Sequence, residues 1–67
     1  MSTHKEVARD NLKADLERLI WAAKEAQNAI EYDSPGGLRS AFLDLGIWSK
    51  RAKTDVNTLL AFYERER

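Results

Sequence analysis

Sixty-seven residues leave room for one small domain, and a lone core of that size buries only about 60% of the unfolded surface. With no cysteine and a single histidine, His4, the chain excludes disulfides and a Cys/His metal centre as reinforcement, which leaves oligomerisation. Eleven basic side chains balance eleven acidic ones, so coating nucleic acid or anionic membrane by bulk charge is excluded, and 43% hydrophobic with 33% charged residues marks a folded helical chain.

In chain order, Met1–Glu6 lacks the apolar core and cleavage site of a secretory signal, and no later run approaches the roughly 20 apolar residues of a membrane span. Together with the absence of cysteine this gives the cytoplasm as the expected location. Thr3-His4-Lys5-Glu6 has the spacing of a capping box and predicts a helix start there. From that start a helix over about residues 3–32 places Leu12, Leu16, Leu19, Ala23, Ala26 and Ile30 on one stripe, widened by Ile20. The stripe alternates steps of three and four, as a coiled-coil packing seam does.

The strong helix breakers gather in Asp33-Ser34-Pro35-Gly36-Gly37, which predicts a turn at about residues 33–37. Within it, Ser34 followed by Pro35 also reads as an N-cap with proline at the first helical position. The second helix, about residues 38–65, sets Leu38, Ala41, Leu45, Trp48, Ala52, Val56, Leu59 and Phe62 or Tyr63 on a seam whose register drifts at Asp55. Phe42 and Leu60 lie on its flank. Gly46 falls inside this helix, and a continuous or mildly kinked helix is expected through it.

These elements predict an all-α fold, an antiparallel two-helix hairpin in a single domain over residues 1–67. Residues 1–34 carry five basic and seven acidic side chains and residues 35–67 carry six and four, which modestly favours pairing. Two helices side by side leave each seam half exposed, so a homodimer forming a four-helix bundle is expected, with Leu12, Leu16, Leu19, Ile30, Leu45, Trp48, Val56 and Leu59 as its core.

Catalytic chemistry finds no support in the residues. His4 has no metal-binding companion at ligand spacing, the serines have no positioned base, and the acids alternate with Lys and Arg as solvated helix faces do. No enzyme activity, cofactor or metal is expected. Lys50, Arg51 and Lys53 point in different directions on a helical wheel, although Arg39, Lys50 and Lys53 share one flank. Val7, Ala14, Trp21 and Tyr32 form a second stripe nearly opposite the first, and Leu43 with Ile47 points away from the second seam. Tryptophan and tyrosine bury much area at little rotamer cost, which makes Trp21, Tyr32, Leu43 and Ile47 the candidate partner-binding residues.

Two heptad-like stretches about a Ser-Pro-Gly-Gly turn resemble the Rop-like family of hairpins that dimerise into four-helix bundles. They also resemble the short helical proteins with which bacteriophages disable host factors such as transcription regulators and defence complexes. The second resemblance implies a homodimeric, non-enzymatic inhibitor or modulator of a host protein, without nucleic-acid or membrane partners. The first implies an RNA-binding hairpin dimer as the alternative.

Overall fold

Residues 3–66 are described by a computed structural model, in which two antiparallel helices, α1 (His4–Glu31) and α2 (Pro35–Arg65), form a hairpin 49 Å long. Among the described residues no helix is long and apolar enough to cross a membrane. The first helix starts where the capping box predicts, with the Thr3 hydroxyl accepting a bond from the Glu6 amide at 3.1 Å.

Three residues make the turn. The Asp33 amide donates to the Ile30 carbonyl and the Ser34 amide to the Ala29 carbonyl, a Schellman closure of α1. That closure requires a left-handed residue, and Asp33 supplies it at φ 48° where glycine is the usual choice. Ser34 then caps α2 by accepting from the Gly37 amide at 3.1 Å, with Pro35 at the first helical position. The turn is therefore shorter than the expected 33–37, because Gly36 and Gly37 already belong to the first turn of α2. Gly37 is needed for a close approach: a Cβ there would lie 3.0 Å from the Ser34 hydroxyl and 3.3 Å from the Ala29 methyl. The helix runs unbroken through Gly46.

The seam between the helices follows the expected one at Leu12, Leu19 and Ala26 of α1 and at Ala41, Leu45, Trp48, Ala52, Leu59 and Phe62 of α2, but replaces Leu16, Ala23, Ile30 and Val56 by the residue before each. On α1 the buried positions are Ala8, Asp15, Ala22 and Ala29, seven apart, with Leu12, Leu19 and Ala26 half-buried between them. On α2 Ala41, Ala52 and Leu59 are buried, and Leu45, Trp48, Asp55 and Phe62 are half-buried. Leu16, Ile30 and Val56, expected on the seam, flank it at 39%, 66% and 37% exposure. Ala23 is exposed beside them, and the drift at Asp55 does not occur, since Asp55 itself takes the seam position. The reason is steric. Close-packed helices select small side chains at the line of contact, and the larger leucines and isoleucines one residue on are turned outward by about 100°. Lys5 bonded to Glu66 at 2.8 Å, Asp15 and Asp55 lining one hollow, and Ala22 beside Trp48 mark the antiparallel register.

Candidate functional site

Because the helices are antiparallel, residues that follow a seam position turn to the same side of the hairpin on both. One side thus collects Leu16, Ile20 and Ile30 of α1 with Phe42, Val56, Leu60 and Tyr63 of α2, all substantially exposed. The opposite side collects the residues that precede the seam. There a chain of three open hollows runs along the hairpin, of about 720, 370 and 400 Å³.

The central hollow is aromatic. Trp21 of α1, 62% exposed, and Trp48 of α2 line it together with Glu17, Arg18, Ala22 and Asp44. Two guanidinium groups approach the Trp48 ring, Arg18 at 4.6 Å and Arg51 at 5.3 Å from its centroid. Such cation–π contacts restrain a half-buried indole. Toward the turn, Tyr32 lines the next hollow beside Asn28, Ser40 and Gly37. Toward the open end lies the largest hollow, rimmed by Ile47, Lys50 and Arg51 and floored by Asp15 and Asp55.

These two acids are unusual in a helix seam. Asp15 is buried, and its nearest cation is Arg18 at 3.9 Å, on the same helix. Hydrogen bonding to Asp15 holds the Asp55 carboxyl above its ordinary range, with burial and repulsion from the Asp15 charge adding and Arg51 opposing. The pair is a structural acid layer; among the described residues no cluster of three or more His, Cys, Asp or Glu side chains could hold a metal.

Of the four residues expected to bind a partner, the hairpin brings Trp21, Tyr32 and Ile47 onto this one side. Leu43 does not join them; it lines shallow apolar dents with Phe42 at the edge of the Leu16–Ile20 side, and Ile47 also reaches one of them. Sequence reasoning assigned Trp48 to the dimer core alone and passed over Arg18 and the acid pair. The signal that finds them is the strict seven-residue spacing of Ala8, Asp15, Ala22 and Ala29, which sets the phase of α1. Comparison with protein-family models, curated proteins and solved structures found no match to this chain.

Proposed function

We propose that this chain is a non-enzymatic protein-binding module, a homodimeric helical hairpin that binds a host protein, such as a transcription regulator or a component of a defence complex, and inhibits or modulates it. The observation that carries the reading is the hollow of Trp21 and Trp48 with Ile47 and Tyr32 along the same side. Exposed Trp21 beside a half-buried Trp48 and two arginines is the composition of an interface hot spot, and Arg18 and Arg51 already restrain the Trp48 ring, so little order is lost on binding. Dimerisation into a four-helix bundle belongs to the same proposal, because the side opposite this hollow holds apolar residues that the hairpin leaves uncovered.

The Rop-like alternative draws on one feature, the convergence of Arg18, Lys50 and Arg51 at the largest hollow. Asp15 and Asp55 at its floor oppose a phosphate there, which favours a protein partner.

Affinity purification from the native host, with wild type and Trp21→Ala side by side, tests the proposal. A co-purifying protein should then be bound directly in a purified system. Trp21→Ala should weaken it by about 30-fold or more, the loss of about 2 kcal/mol that interface tryptophans often carry, with an unchanged helical spectrum and melting temperature. Equal binding by Trp21→Ala refutes the assigned face. Co-purifying RNA whose affinity falls steeply with salt replaces the proposal with the alternative.

A further inference from the structure

Gly46 sits in the middle of a continuous helix, where glycine is among the poorest helix formers. Gly37 is required by the neighbours its Cβ would strike, but a Cβ at Gly46 meets nothing within 4 Å. The hairpin therefore has no use of its own for that glycine. One turn before it stands Phe42, 75% exposed, and the missing side chain opens a hollow of about 480 Å³ beside Phe42, Leu45 and Ser49, reaching Leu19 of the other helix. This ridge and dent lie on the side that also carries Leu16, Ile20, Val56 and Leu60.

We propose that this side, centred on the Phe42 ridge and the Gly46 dent, is the face on which a second copy of the chain docks. The proposal rests on the homodimer reading above and adds to it which surface pairs. Two observations name the occupant as a second copy. The first is the thinness of the core: among the described residues no large side chain is fully buried in the single hairpin, whose buried positions are alanines, Asp15 and Leu59, with Leu12, Leu19, Leu45, Trp48 and Phe62 only half-buried. A chain of this length is marginal on its own core and gains from further apolar burial, and its own copy is the one partner always present with it. The second is area. The hairpin measures 49 by 20 Å in the plane of its two helices, so one side offers on the order of 1,000 Å². A stable interface takes about 800 Å² from each partner, which a face-to-face pair of these hairpins supplies over the full length. A surface with both a ridge and a dent suits a two-fold pair, in which each copy contributes both. Docking there leaves the Trp21–Trp48 side free on both outer surfaces.

Analytical ultracentrifugation over a concentration series, with circular dichroism on the same samples, tests this with two substitutions on α2 that lie on opposite sides. Phe42→Lys should raise the dimer dissociation constant at least 100-fold, whereas Thr54→Lys, at the largest hollow on the Trp21–Trp48 side, should leave it within about threefold of wild type. Gly46→Leu, which fills the dent with a better helix former, should also raise it at least 100-fold. Should either variant lose its helical spectrum even at high concentration, Gly46→Ala decides. That change favours the isolated helix, so a dimer weakened tenfold supports a close approach of the partner at this spot, and an equal or tighter dimer overturns it. A wild-type dimer untouched by Phe42→Lys and Gly46→Leu refutes the face and leaves the homodimer standing. A wild-type monomer at 100 µM chain overturns both.

Discussion

Replacing Asp15 with leucine should raise the melting temperature of the protein. The residue is 8% exposed at a seam position between Leu12 and Leu19, and it faces Asp55 rather than a bidentate arginine. An apolar side chain of similar length removes a desolvated acid and gains apolar burial of roughly 1.5–3 kcal/mol. The site opens on one side to the Asn11–Arg18 hollow, so the gain belongs near the middle of that range, about 2 kcal/mol. For a chain of this size that is roughly 8–16 °C in melting temperature, read by circular dichroism at one fixed chain concentration. The pH profile supplies an independent check. Because Asp55 is held above its ordinary value in the folded state, the folded protein binds that proton more tightly than the unfolded chain does. Protonation therefore favours folding: the penalty is present above the folded-state value and is relieved as the pH falls from there toward the ordinary carboxylate range. Asp15→Leu removes the first cause of the shift, so wild type should gain stability relative to the variant across that window. A lower melting temperature for Asp15→Leu, or parallel profiles for the two proteins, would refute the acid layer.

Glycines 36 and 37 should respond in opposite senses to alanine. Gly36→Ala enters open space and should stabilise the first turn of α2 by up to about 1 kcal/mol, whereas Gly37→Ala pushes on the Ser34 hydroxyl that caps the helix and should lower stability by about 1 kcal/mol, both read by thermal melts. Asp33→Gly should raise stability by about 1 kcal/mol in the same assay, since glycine takes the left-handed conformation without steric cost; a loss would show that the Asp33 side chain is itself needed in the turn.

The punctuation of the fold was legible in the sequence. Thr3 and Ser34 cap the helices as their spacing predicts, and Pro35 stands at the first helical position of α2. The seam was legible along α2 apart from Asp55 and at Leu12, Leu19 and Ala26 of α1, but not at the alternate positions of α1. Leu16, Ala23 and Ile30 repeat every seven residues, and so do Asp15, Ala22 and Ala29 immediately before them. A hydrophobic stripe weights the larger side chains, so it drew the seam through Leu16 and Ile30. Backbone proximity weights smallness, and that criterion chose Ala22 and Ala29. Asp15 and Asp55 hid the true line further, because an acid at a seam position reads as solvent on any apolar scale. The same shift explains the partner face: Trp21 and Ile47 were legible as outliers from a stripe, but only the hairpin geometry brings Trp48 and its two arginines beside them.

The division of side chains by size separates what shapes the hairpin from what stabilises it. Alanine carries little transferable apolar area, so a seam of Ala8, Ala22, Ala29, Ala41 and Ala52 fixes spacing and register while adding modestly to stability. The caps at Thr3 and Ser34 and the turn at Asp33 specify direction at a kcal/mol or so each. Leu16, Ile20, Ile30, Phe42, Val56 and Leu60 carry the larger areas, and they lie outside the seam. Leu12, Leu19, Leu45, Trp48 and Leu59 add burial at the seam, and apolar cover over the side that holds the larger residues would add to the stability of the hairpin. Covering that side leaves the tryptophan hollow open on the other, since the antiparallel pairing sends residues before and after each seam position to opposite sides of the molecule.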